Sequence, residues 1–427
     1  MSEIVKIMQF GEGVFLRGFW EPMIEQMNRE SDFHAEVYAV KPRKGAVPQA
    51  YARQNCRYHL LLRGVDQNGE TIETLEDIHC LKSLYSSSDQ WDKVEELARD
   101  PRLKIIVSNT TEAGIVYEKN NPDTFPGKLA KLLQIRAAAK MPGVAIFPCE
   151  LIVKNGDRLR EYVLRYLGND PAADYVRNEC RFYNTLVDRI VSGFPADAAS
   201  FDPDDQLIVA ADPFSFLAVE AEESLRQTIP FPEDSVLLTS DITPYRLRKI
   251  RGLNASHTAM VPAGILAGFS EVKELMDDPR FRKRIETTLF DEILPTIPLP
   301  EVEKLEFAQA VIRRFCNPFT HHRLEAIALN CVAKWKERIL PILLESKDLP
   351  HYLSGTAGEL YCFLQKSNAI FDEPEVAAKF ANPYSLDDFL GDTTLWGMDL
   401  RSIPGLPEAS AAATVLYYDK IEQKMIK

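Results

Sequence analysis

The sequence contains no run approaching 18 consecutive apolar residues, the length at which a membrane-spanning helix becomes a candidate. Its first ten residues, MSEIVKIMQF, lack the basic region and apolar core of a secretion signal and lead straight into a strand pattern. We therefore expect a cytoplasmic protein with no membrane partner. Basic residues are in the minority, 50 Lys plus Arg against 63 Asp plus Glu, for a formal net charge of −13. The counterion-release term that drives nonspecific nucleic-acid binding is missing overall, so no nucleic-acid partner is expected and any anionic ligand needs a local basic pocket. Cysteine is scarce, seven residues with no C-x-x-C pair and no His at metal-ligand spacing, which argues against disulfides and structural zinc. With apolar residues at 45% and charged residues at 26%, collagen-like, low-complexity and wholly disordered classes are excluded too.

What remains is a chain of 427 residues, long enough for two or three domains at roughly 100–200 residues each. The first half alternates β-branched runs with helical stretches, the signature of an α/β domain with a largely parallel sheet. Ile4–Phe10 reads as a strand, Val14–Arg29 as one amphipathic helix, and Ala35–Val40 as the next strand, together a βαβ unit. Asp66-Gln67-Asn68-Gly69 reads as the turn of an inserted hairpin. Strands are expected again at Leu103–Ser108 and Val144–Cys149, and helices at Gln90–Arg99, Lys128–Lys140 and Asp157–Leu167. From about Pro244 strand signals nearly vanish, and Val302–Phe315, His322–Leu344 and Tyr352–Gln365 carry apolar residues at helical spacing. The expected organisation is a Rossmann-like domain over 1–238 followed by a mainly α-helical domain over 239–427. Ala409–Ala413 is weakly patterned, and Thr414–Tyr418 is apolar enough to dock back.

Gly11-Glu12-Gly13 follows the first strand and opens a helix, where backbone N–H groups and the helix dipole suit a pyrophosphate. The full G-x-G-x-x-G fingerprint is absent, since Leu16 holds the third position and Gly18 comes two residues late. At the end of the second strand the usual ribose-binding acid is missing; Lys41-Pro42-Arg43-Lys44 stands there, either a solvated loop or a partner for a 2′-phosphate. A plain strand–helix turn would read the same way, and the choice of nicotinamide cofactor between NAD and NADP stays open on these residues.

The most informative segment is Lys249-Ile250-Arg251-Gly252-Leu253-Asn254-Ala255-Ser256-His257. On an α-helix at about 100° per residue, with Lys249 as zero, Arg246 falls near ~60°, His257 near ~80° and Asn254 near ~140°. Arg251 points elsewhere, toward a surface or packing role. An amine, an amide and an imidazole on one face would provide a base, an oxyanion donor and a substrate hydrogen bond. An ordinary polar helix face has the same spacing. Asn184, beside the apolar run Thr185–Val187, says little alone and would equally cap a turn.

Taken together, Gly11-Glu12-Gly13 with Arg17-Gly18-Phe19, Ser108-Asn109-Thr110-Thr111-Glu112-Ala113-Gly114-Ile115, Asn184–Ile190 and Lys249–His257 occur in the order seen in the polyol-specific long-chain dehydrogenases. The chain resembles the mannitol dehydrogenase family from near residue 4 to about residue 345, including Asn317-Pro318-Phe319-Thr320-His321-His322. The resemblance implies a metal-independent oxidoreductase acting on a small sugar acid or polyol, with Lys249 as general base, Asn184 and Asn254 as the oxyanion hole and His257 on the substrate. It places Phe10, Gly11, Glu12 and Gly13 at the cofactor pyrophosphate, Lys41 near the ribose, and Ser108, Asn109 and Thr110, with Asn184, toward the nicotinamide. In Cys149-Glu150, Glu150 stands where relatives carry Asp. Arg246 replaces the acid that mannitol-oxidising relatives carry three residues before the lysine, and a cation there suits a carboxylated sugar such as a keto-hexuronate. The competing partner for Arg246 is Asp241 or another acid at the helix start. His321 or His322 is a further candidate for substrate contact, against a plain role at the helix entry. A lysine near its ordinary pKa of about 10.4 is a poor base at neutral pH, so the role assigned to Lys249 requires burial and a neighbouring cation.

Overall fold

The structure, a computed structural model, describes residues 3–66 and 68–425; the side chains of Glu112 and of residues 417–425 are outside the description. Gln67 of the expected hairpin turn lies outside the described residues. Two compact units form, one running to Ile242 without residues 64–71 and one from Thr243 onward together with Gly64–Thr71.

The first unit is built on a six-stranded, all-parallel sheet in the order β5-β2-β1-β6-β7-β8. Its strands are β1 (Val5–Phe10), β2 (Ala35–Lys41), β5 (Leu81–Ser86), β6 (Leu103–Ser108), β7 (Ala145–Pro148) and β8 (Arg181–Phe182). Side chains alternate across a strand, so a parallel sheet covered on both faces needs apolar residues on each. In β1, Ile7 joins one core with Trp20, Val37, Val107 and Phe147, while Met8 and Phe10 join the other with Val40, Ile106, Leu129 and Ile146. Arg136, in the Phe125–Ala138 helix, is fully buried and donates to the carbonyls of Ala98, Asp100, Leu103 and Pro142, which knits that helix to the strand ends. Two smaller sheets complete the unit. One has the order β10-β11-β3-β4, with β3 (Tyr58–Val65), β4 (Thr71–Ile78), β10 (Val191–Gly193) and β11 (Val209–Ala211); the other has β13-β12-β9, with β9 (Thr185–Asp188), β12 (Phe216–Glu220) and β13 (Val236–Thr239).

The expected Val14–Arg29 helix is two helices, α1 (Val14–Gly18) and α2 (Trp20–Glu30), joined at Phe19. The reason lies at Gly18, where a Cβ would sit 2.7 Å from a methyl of Val191 and 3.1 Å from one of Val209. Gly18 is therefore a packing glycine that lets α1 approach β10 and β11, not a late member of a phosphate fingerprint.

The second unit is helical. The expected His322–Leu344 helix is broken into Leu324–Ala328, Cys331–Arg338 and Leu340–Glu345. Asn330 takes the left-handed conformation at φ 55°, and Pro341 begins the last piece; an apolar period alone does not reveal such breaks. The weakly patterned tail belongs to a 20-residue helix, Leu406–Met425. Its small residues are its packing face, because a Cβ on Gly358 would fall 2.1 Å from the Ser410 carbonyl oxygen and one on Gly355 3.5 Å from Ala413. Thr414 is buried there, whereas Val415 and Leu416 face outward, so the apolar run docks only by its first residue among those described. Among the described residues, no helix is long and apolar enough to cross a membrane. All seven cysteines are free thiols.

Candidate active site

In the first unit the glycine turn and the Ser108–Thr110 segment meet where strand order reverses between β1 and β6, the crevice in which open α/β sheets bind ligands. Gly11 has φ 124°, and a Cβ on it would lie 2.9 Å from the Asn109 carbonyl oxygen. Its N–H donates to Val40 O at 3.0 Å, and Asn109 N–H donates to Phe10 O at 2.9 Å, so the ends of β2, β1 and β6 are fastened together. Gly13 is exposed, and a Cβ built there meets nothing within 4 Å. A tight turn at Gly11 and open, side-chain-free backbone at Gly13 fit a dinucleotide pyrophosphate. Gln9 supports the turn from below, its Nε2 donating to Gly11 O and to the buried carboxylate of Glu21.

The side chains of several residues assigned to the cofactor are engaged within the protein itself. Phe10 is fully buried and packs on Phe125 with ring centroids 4.9 Å apart, so its side chain belongs to the core. Lys41 Nζ lies 3.7 Å from Glu12 Oε1 and donates to the carbonyls of Arg43 and Lys44, which closes the loop after β2. The Ser108 hydroxyl turns inward to Glu150 Oε2 at 3.0 Å, and Asn109 Nδ2 donates to Cys149 O. Thr110 gives both its N–H and its hydroxyl to Glu150 Oε1, at 2.8 and 2.9 Å. The Glu150 that departs from the relatives' Asp is thus the anchor of the whole segment.

Glu150 is 2% exposed, and burial pushes its carboxyl above the ordinary range even though its three hydrogen bonds pull the other way. A carboxyl whose folded pKa lies above its unfolded value binds protons more tightly when folded. Its stabilising contribution is present at pH below the unfolded value and is lost as pH rises through the folded one. Glutamine keeps the shape and can donate to the Ser108 oxygen while accepting from Thr110. We expect Glu150→Gln to gain stability relative to wild type as pH rises from about 4 to 8. Thermal melts at a series of pH values check this; a difference that does not vary with pH refutes it.

Asn184, placed just before β9, is 7% exposed. Its Oδ1 accepts from Asp157 N at 3.0 Å, capping the first turn of the Asn155–Leu167 helix, and its Nδ2 donates to Asp157 Oδ2 at 3.1 Å and Glu220 Oε2 at 2.7 Å. Both amide hydrogens are committed to carboxylates. This corrects the simple picture of Asn184 as an open oxyanion donor: it reaches a substrate oxygen only by releasing one of those acids. Asp157 and Glu220 were not foreseen, since nothing in their local sequence ties them to a residue 27 or 36 positions away.

In the second unit, Thr243–Arg248 is α-helical, but Lys249–Ala255 is a π-helix before the α-helix resumes at Ser256–Ala267. This overturns the 100° bookkeeping. Winding with i→i+5 hydrogen bonds brings residues five apart back to nearly the same face, so Lys249 and Asn254 are closer in azimuth than on an α-helix. The wide turn is sustained by its neighbours. Ser256 Oγ donates to Gly252 O at 2.7 Å, Thr258 Oγ1 donates to Asn254 O at 2.9 Å, and Gly252 admits Phe307, whose ring carbon would lie 2.8 Å from a Cβ. Arg251 is buried and bonded to Thr296 O and Glu345, a packing arginine as expected. Lys249, Asn254 and Arg246 are half-buried, and burial lowers the Arg246 guanidinium from its usual value.

His257 is 7% exposed, and its Nε2 is buried without a hydrogen-bond partner. Its ring packs against Phe315 and, edge to face, against His322, each with centroids 4.6 Å apart. Burial depresses its pKa well below 6.5, and the charges of His322, Arg314, Arg338 and Lys334 push in the same direction. The histidine that joins the site is therefore His322. His321, the other histidine of the pair offered by the sequence, is exposed and sits beside Glu271 at 3.3 Å. The cations around His257 were missed because they come from two other helices, and only the packing gathers them.

The Mannitol dehydrogenase Rossmann domain matches residues 5–232 and the Mannitol dehydrogenase C-terminal domain matches residues 241–406. The chain belongs to the mannitol dehydrogenase family and is a nicotinamide-dependent alcohol dehydrogenase or reductase. Its relatives include the altronate oxidoreductases of Bacillus subtilis, 35% identical with 95% of this chain and 91% of that one covered, and of Yersinia enterocolitica, 34% identical with 94% and 92% covered. Two solved structures share the fold. D-sorbitol dehydrogenase in substrate-free form has a TM-score of 0.79 at 20% identity, covering 98% of this chain and 96% of that one. Pseudomonas fluorescens mannitol 2-dehydrogenase in a ternary complex with NAD and D-mannitol has a TM-score of 0.72 at 20% identity, covering 98% and 95%.

Proposed function

We propose that the protein interconverts tagaturonate and altronate with NAD(H), Lys249 serving as the acid–base group. The observation that carries the carboxylated substrate is the grouping of hydrogen-bond donors at His257, whose buried Nε2 lies in a ring packed edge to face on His322, with Arg338 bonded to the adjacent Thr258 hydroxyl. A carboxylate beside such buried donors would gain charge-assisted hydrogen bonds. The altronate oxidoreductases among its near full-length relatives support the same reading.

Bound nicotinamide supplies or accepts the hydride. Lys249 Nζ, in its amine form, takes the hydroxyl proton when altronate is oxidised and returns it when tagaturonate is reduced. The Asn254 amide donates to the oxygen that carries developing negative charge. Gly11 and Gly13 seat the pyrophosphate. The Lys41–Glu12 contact favours NAD, since an acid beside the ribose site repels a 2′-phosphate.

Fructuronate reductase, mannitol dehydrogenase and mannitol-phosphate dehydrogenase are alternatives on the same scaffold. A panel of tagaturonate, fructuronate, fructose and fructose 6-phosphate, with NADH and NADPH, decides among them by kcat/KM. Tagaturonate with NADH is expected to lead; preference for fructose would end the carboxylate argument.

A further inference from the structure

The hydroxyl-binding role implied for His257 leaves unexplained why its Nε2 is buried without a partner and why so many basic groups gather near it. We propose that His257, His322 and Arg338 form the subsite for the substrate carboxylate, with His322 setting the preference for an acid over a neutral polyol. The proposal rests on the sugar-acid reading above and names the part of the second unit that carries it.

Three elements converge on this point. Phe315, at the end of the Glu301–Phe315 helix, covers one side of the His257 ring, and its neighbour Arg314 is 4% exposed. His322 closes a second side, its ring nearly perpendicular to that of His257 at 79°. From the Cys331–Arg338 helix, Arg338 Nη1 donates to the hydroxyl of Thr258, the residue after His257, at 3.2 Å. Lys334, four residues before Arg338, donates to Ile327 O. The side chains from these elements that act most on His257 are the basic ones, His322, Arg314, Arg338 and Lys334.

Tagaturonate carries its ketone next to one end of the six-carbon chain and its carboxylate at the other. With the ketone at Lys249 Nζ, a second recognition point is required beyond the reacting carbon. The His257–His322 pair follows Lys249 in the chain. A carboxylate there would satisfy the buried Nε2 and bring negative charge to a desolvated basic cluster, where charge-assisted hydrogen bonds are strongest.

The test compares altronate with altritol, the same chain without the carboxylate, binding to the full-length protein with NAD⁺ by calorimetry. Wild type should bind altronate more tightly. His322→Asn should weaken altronate at least tenfold, about the value of one charge-assisted bond, and leave altritol within a few-fold. Arg338→Gln should do the same, and melting curves verify that both variants are folded. Parallel loss of both ligands, unchanged altronate binding in both folded variants, or a wild type that does not prefer the acid would overturn the proposal. If wild type binds altronate selectively yet turns over no hexuronate, the functional reading fails while the subsite stands.

Discussion

Replacing Lys249 with alanine is expected to lower turnover by roughly 10²–10⁴-fold, the scale of a positioned acid or base, while NADH affinity stays close to wild type. The amine sits at the first position of the π-helix, so truncation removes no buried packing atom from the Gly252–Phe307 contact that holds the segment. Lys249→Arg should not rescue, because a guanidinium stays protonated at any working pH and cannot accept the hydroxyl proton. NADH fluorescence titration and single-turnover rates separate the two effects. Near-normal turnover in the alanine variant would remove Lys249 from the mechanism.

A second large effect is expected at the glycine turn, and there the two glycines should behave differently. Gly11→Ala forces a side chain into φ 124° and against the Asn109 carbonyl, so it should cost stability on the order of 1–3 kcal/mol and cofactor binding together. Gly13→Ala meets no protein atom and has an ordinary φ of −63°. Its melting temperature should shift little, within the ~1 kcal/mol of a changed N-cap, while NADH affinity falls tenfold or more. The contrast is the informative result. If Gly13→Ala binds NADH normally, the open space above that residue is not where the pyrophosphate lies.

Much of this architecture is legible in the sequence because it follows from periods of two and of 3.6 residues. β1, β2 and β6 were placed to within a residue, and the helical character of the C-terminal part was evident from apolar spacing. The failures share a physical origin. Gly18 breaks a helix because of methyl groups on strands nearly two hundred residues away, and the Gly355–Gly358 helix takes its partner from chain that looked featureless. The Lys249–Ala255 segment has an α-helical composition, and its wide winding depends on hydroxyl and aromatic neighbours. In the candidate site, Gly11, Gly13 and the Lys249–His257 run stood out by spacing or resemblance. Arg314 and Arg338 did not, since a basic cluster around one imidazole exists only after helices from separate stretches are stacked. The pair His321–His322 shows the limit: adjacent residues of one type face opposite environments, and pattern alone does not say which turns inward.

The close approach of Gly358 to Ser410 bears on the order in which the protein can be made. Ser410 is completely buried, so the Leu406–Met425 helix supplies a wall of the second unit rather than an appendage to it. During synthesis the first unit has its whole sequence available long before the last segment leaves the ribosome. The second unit keeps an uncovered, glycine-lined groove until that helix has emerged, and a nascent chain stalled short of residue 406 would present the groove to chaperones.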